Sequence, residues 1–154
     1  MNKKITLSLI SLSLIALSTF AESRKIENLN FGWRFSYGDI DNASSSSFND
    51  SSWHNVNLPH DFQISQPWVA PADNEKADKN NPMANVSSRL SSRGFKEMGT
   101  GWYRRQLIAD SSWMGRRVLL DFGGIMLNGD VYLNGHLVGG TDYGYLGFEI
   151  DVTK

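Results

Sequence analysis

Between Arg117 and Thr153 the chain is a succession of short apolar stretches separated by glycine-rich turns. Val118, Leu120 and Phe122 recur at every second position, Val131 and Leu133 do the same, and Phe148, Ile150 and Val152 close the block. A period of two places successive side chains on opposite faces of a strand, so each stretch can bury one face only. Asn134-Gly135 fixes how two of these strands meet. A two-residue type I′ turn needs positive φ at both central positions, which Asn and Gly tolerate. The turn predicts Leu133 opposite His136, Tyr132 opposite Leu137 and Val131 opposite Val138. Val131 and Val138 then share one face of the hairpin, and Tyr132 and Leu137 share the other.

The rest of the chain has the same texture. Ile26 to Tyr37 reads as an opening strand in which Phe31, Trp33 and Phe35 alternate with Asn30, Gly32 and Arg34. Asn42 to Ser52 is rich in Ser, Asn and Asp and predicts a surface loop. Trp53, Val56 and Leu58 mark a short strand that Pro59 closes, since proline cannot donate to a ladder. Residues Ala70 to Arg93 hold no sustained apolar period, as in a long functional or mobile loop. Trp102 to Ile108 alternates in part. Convincing helical periodicity is missing throughout. Many short strands joined by glycine-rich turns predict an all-β fold, an antiparallel sandwich or barrel.

Residues 1–21 stand apart. Lys3 and Lys4 precede a serine-broken apolar run from Ile5 to Leu17, and Thr19-Phe20-Ala21 supplies small residues before Glu22. This is a secretory signal pattern, shorter than the ~20 apolar residues that cross a bilayer. The expectation is an exported protein, periplasmic or extracellular, with one domain from residue 22 to 154. Lys3 and Lys4 are the only charges in the leader, so the 15 basic and 16 acidic residues of the chain leave the exported part acidic. That balance argues against nucleic acid or an anionic membrane as partner. With 0 cysteines, disulfides and thiolate metal sites are excluded, and stability must come from an apolar core. The 5 tryptophans suit that role.

Five blocks, in order, resemble one family. Asn30-Phe31-Gly32-Trp33-Arg34-Phe35 is similar to the "L-N-x-x-W-x-F" opening of glycoside hydrolase family 2, the family of bacterial β-galactosidases, β-glucuronidases and β-mannosidases. Trp53 with Val56-Asn57-Leu58-Pro59-His60-Asp61-Phe62 resembles "W-x-x-V-x-L-P-H-D-W", with Phe62 in place of the usual Trp. Gly99-Thr100-Gly101-Trp102-Tyr103-Arg104-Arg105 resembles "G-x-x-W-Y-R-K". Val118 to Gly124, Val131 to Gly135 and Val138-Gly139-Gly140 resemble "V-x-L-x-F-x-G-V … V-x-L-N-G-x-x-V-G", and Phe148 to Thr153 resembles "F-x-F-D-I-T". The segment Ile125 to Gly129 departs from the family pattern without disturbing the register.

The resemblance implies a galactose-binding-like jelly-roll β-sandwich, the sugar-binding domain of a β-galactosidase-like enzyme. It also implies a downstream immunoglobulin-like sandwich and a (β/α)₈ barrel carrying two catalytic glutamates. On that reading the chain is a C-terminally truncated domain, inactive alone, with unpaired edges that promote aggregation. The alternatives are a free-standing carbohydrate-binding module and a purely structural β-sandwich. The partner of the intact enzyme would be a β-galactoside-like carbohydrate.

No carboxylate reads as catalytic. Asn74-Glu75 matches the family's Asn-Glu pair only superficially, because it lies in a polar loop. Glu149 and Asp151 alternate with apolar neighbours, as on the solvent face of a strand. His60 and Asp61 follow a strand and open a loop, where binding groups are commonly held. They would help shape a sugar subsite, with Trp68 stacking on a pyranose face. The competing structural reading, which is favoured, makes Asp61 a cap for local amides and His60 a hydrogen-bonding core residue. Trp102 and Arg104 share one strand face and could form a sugar platform. The favoured alternative pairs Arg104 with a buried backbone or carboxylate group. The sequons at Asn42, Asn49 and Asn85 are expected by chance in such loops. Histidines 54, 60 and 136 lack metal-ligand spacing, and no cofactor motif is present.

Overall fold

The computed structural model describes residues 24–69, 95–97 and 99–153. The leader and the whole of the loop expected at Ala70 to Arg93, with Glu75 and Asn85, lie outside the described residues. Seven strands are described: β1 (Trp33–Tyr37), β2 (His54–Val56), β3 (Gly101–Arg104), β4 (Leu119–Phe122), β5 (Gly129–Leu133), β6 (His136–Thr141) and β7 (Phe148–Asp151). All pairings are antiparallel, in three small sheets ordered β2-β1-β3, β4-β7 and β5-β6. Two short 3-10 turns, Phe62–Ser65 and Ser111–Trp113, complete the described elements. The all-β class read from the period-two pattern is borne out.

The sheets meet through side chains that alternation turned inward. Phe35 in β1 and Ile150 in β7 are buried, and Gly139 of β6 lies against Ile150, so that a Cβ at this glycine would fall 2.8 Å from Ile150 Cδ1. The Trp102 and Tyr132 rings, 6.1 Å apart, connect β3 with β5. Phe122 and Phe148 stack at 4.9 Å across the β4-β7 pair, while Asp121 and Glu149 opposite each other face solvent. Glu149 and Asp151 therefore sit on the exposed face of a strand, as alternation requires.

Four sequence readings need adjustment. The opening strand begins at Trp33. Phe31, which alternates in sequence with Trp33 and Phe35, precedes the strand and is 63% exposed, although Leu58 still donates to the Asn30 carbonyl at 2.7 Å. The β3 strand ends at Arg104, and Ile108 is out in solvent. The loop from Asn42 to Ser52 is not wholly superficial, since it carries buried Ala43 and tucks Phe48 against buried Trp53 at 5.3 Å. In the hairpin, Asn134 and Gly135 adopt φ of 51° and 87°, and Leu133–His136 and Tyr132–Leu137 pair as expected. Val131, however, faces Gly139 rather than Val138, because a register shift between Val131 and Tyr132 leaves Val138 as an extra residue. Such a bulge adds one residue to one strand and kinks it locally.

Candidate functional site

The candidate side chains surround the β2-β1-β3 sheet on both faces. In the β1–β3 register Phe35 opposes Tyr103, and Arg34 opposes Arg104. Alternation therefore sends Phe35 and Tyr103 to one face and Arg34, Arg104 and Trp102 to the other.

On the first face, Phe35 is covered by the rings of His60, Tyr103 and Phe62, with centroids at 4.9, 4.9 and 5.6 Å. The chain reaches this cluster just after Pro59, which brings the imidazole over the sheet. His60 Nδ1 and the Tyr103 hydroxyl share a hydrogen bond of 2.8 Å. Burial, reinforced by the negative charge of Asp61, pushes the Tyr103 hydroxyl up to about 12. A raised phenol value means that the fold favours the protonated form. Its contribution is complete below the ordinary value of 10.0 and is lost as pH rises through 12. Asp61 caps the following 3-10 turn, its Oδ1 accepting from the Gln63 N–H at 2.9 Å.

Trp68 lies beyond that turn and is 72% exposed. One ring face is occupied by Lys96, whose Nζ sits 4.1 Å from the ring centroid and donates to the Gln66 carbonyl at 2.7 Å. A cation over an indole face is held by the ring quadrupole.

On the second face, Arg104 is the anchor of the serine-rich loop. Its Nε donates to Asp50 Oδ2 at 3.2 Å, and its Nη1 donates to the carbonyls of Ala43 and Ser45. Arg34 binds the same carboxylate from the neighbouring strand, with Nε 3.5 Å from Asp50 Oδ1. Like charges directly opposite each other on adjacent strands repel, and the shared Asp50 carboxylate offsets that repulsion. The Trp102 indole Nε1 is buried and has no hydrogen-bond partner among the described residues.

The five predicted residues thus do not converge on one pocket. His60 and Asp61 belong to one face, Trp102 and Arg104 to the other, and Trp68 to the rim. Two further residues matter that the sequence reading did not single out. Tyr103 completes the histidine pair, and Asp50 holds both arginines. Asp50 sits within an Asn-Asp-Ser loop with no distinguishing local pattern.

The profile of glycosyl hydrolases family 2, sugar binding domain, matches residues 26–154. Among relatives, the beta-galactosidase BoGH2A of Bacteroides ovatus is 30% identical over 130 residues, covering 84% of this chain and 14% of the relative. Among solved structures, a beta-glycosidase from Bacteroides vulgatus aligns with a TM-score of 0.63 at 35% identity, covering 82% of this chain and 15% of that one. The Bacteroides uniformis beta-glucuronidase aligns with a TM-score of 0.62 at 25% identity, covering 82% and 12%. The chain thus spans 12% to 15% of the length of these proteins. Sequence profile and structural likeness agree, and the chain belongs to glycosyl hydrolase family 2, through its sugar binding domain.

Proposed function

We propose that this chain is the non-catalytic sugar-binding portion of an exported retaining glycosidase that removes terminal β-linked sugars. The observation that carries this reading is the family match across residues 26–154, which coincides with a small share of much longer enzymes. Retaining hydrolysis uses one carboxylic acid to protonate the leaving oxygen and a second carboxylate, about 5–5.5 Å away, to attack the anomeric carbon. On this reading both carboxylates belong to parts of the enzyme outside this chain.

A β-galactoside is the proposed substrate class, with a β-glucuronide as the rival, because relatives of both names match. A bracing role within the enzyme is the second reading. It is favoured by the internal bonds made by Asp61, His60 and Arg104. Export is supported by the Lys3-Lys4 start, the apolar run and the Thr19-Phe20-Ala21 ending. Mass spectrometry of the protein from its native host should find a mature N-terminus at Glu22.

The activity is tested with chromogenic β-galactoside and β-glucuronide. A longer protein containing this segment should turn over one of them, and the 154-residue chain should turn over neither. Turnover by the chain that disappears when one of its own carboxylates is replaced would sink the proposal.

A further inference from the structure

Beside Arg34 and Arg104, at the second face of the β2-β1-β3 sheet, lies a cleft of about 280 Å³ lined by Gly32, Arg34, Asp50, Arg104, Arg105 and Gln106. Three of these side chains are guanidinium groups and one is a carboxylate, so the lining carries two surplus positive charges. Asp50 is already divided between Arg34 at Oδ1 and Arg104 at Oδ2. The remaining protein acceptors are main-chain carbonyls. Arg34 Nη1 reaches those of Asp50 and Ser51, Arg104 Nη1 those of Ala43 and Ser45, and Arg105 Nη1 that of Leu29. Among the described residues, Nη2 of all three arginines is left without an acceptor. The space beside Gly32 is open, since a Cβ built there would meet nothing within 4 Å.

We propose that this cleft is an oxyanion subsite for an acidic carbohydrate, taking a uronate carboxylate or a sulfate ester on the sugar. The chemistry follows from the donor set. Guanidinium groups bind planar carboxylates and tetrahedral sulfates through paired, charge-assisted N–H bonds. The surplus charge gives the ligand a net electrostatic gain that a neutral sugar lacks. The Gln106 amide beside the guanidinium groups adds a donor and an acceptor suited to a hydroxyl. This inference rests on the sugar-binding reading above but names a different set of residues from His60 and Asp61.

The test is calorimetry on the 154-residue chain at low ionic strength with glucuronate, galactose 6-sulfate, galactose and inorganic sulfate as separate probes. Binding of one acidic sugar should exceed that of galactose by about tenfold or more, the usual worth of a charged hydrogen bond. The preferred acidic sugar identifies the oxyanion as carboxylate or sulfate ester. Arg105→Gln, which spares the Asp50 pairs, should abolish that preference while the far-ultraviolet circular dichroism stays unchanged. Added salt should weaken acidic-sugar binding and leave galactose binding unaltered.

Equal affinity for galactose and the acidic sugars would overturn the subsite while leaving sugar binding intact. Unchanged acidic-sugar binding in Arg105→Gln would overturn it too. Inorganic sulfate binding as tightly as galactose 6-sulfate would leave an ion site with no sugar specificity and overturn the carbohydrate assignment. Silence from all four probes would also overturn it, with the glycosidase reading still decided by turnover of the longer protein.

Discussion

At the scale of single residues, the chain relies on a few charged side chains that bind distant segments. Arg104 is 19% exposed and joins Asp50, Ala43 and Ser45 to β3. Arg34 is 37% exposed, and its contacts with the same loop are longer, at 3.2 to 3.5 Å. Arg104→Met should therefore lower the unfolding free energy by about 1.5–3 kcal/mol, the range for hydrogen bonds to charged groups. Arg34→Met should cost under about 1 kcal/mol, as for exposed pairs. Denaturant melts of the two variants check the order; equal losses would contradict it.

Asp151 gives a pH signature. The Thr153 hydroxyl, the Arg117 guanidinium and the Thr153 N–H, in that order, hold its carboxyl at about 2, below the ordinary 3.8. The fold favours the ionised form, so its stabilisation is present above pH 4 and drains away as pH falls towards 2. Carboxyl-detected NMR titration should give a midpoint near 2 that rises in Thr153→Val.

At the scale of elements, the two central glycines of β6 bear on packing rather than on turning. Gly139→Ala would press a Cβ to 2.8 Å from the Cδ1 of buried Ile150. Overpacking of this kind costs about 1–3 kcal/mol. Gly140→Ala would collide with the Gly129 main-chain carbonyl, which has no rotamer to change, and should be the more damaging of the two. Thermal melts that rank them in reverse would contradict this assignment of the contacts.

The same strand shows where sequence reading stops. The Asn134-Gly135 turn was legible because the φ requirement is local to two residues. The bulge at Val138 was not, because Gly139 and Gly140 have no side chains to display which face they occupy. Alternation likewise revealed β3, β4 and β7, whereas the end of β3 at Arg104 was hidden by the apolar Leu107 and Ile108 beyond it. Among site residues, the Asp61 cap was readable from its place before a turn. The Arg104–Asp50 pair joins residues 54 apart and depends on a loop returning to the sheet, which no local pattern encodes.

At the scale of the whole molecule, the described core is thin. Phe35, Ala43, Trp53 and Ile150 are its buried hydrophobic members, and of the five tryptophans only Trp53 is among them. Counting aromatics in the sequence therefore overstates the core, because burial depends on how many layers of sheet cover each ring. The sheet order adds a further asymmetry. Among the described strands, β1 alone has a partner on both sides, β2 and β3. Amides of β1 should be the slowest to exchange with deuterium, while those of the two-stranded pairs are replaced sooner through local opening. Hydrogen-exchange mass spectrometry measures this directly, and β5 or β7 outlasting β1 would contradict it. The position of β1 thus amounts to a clock: the strand held from both sides is the one whose protons remember the longest.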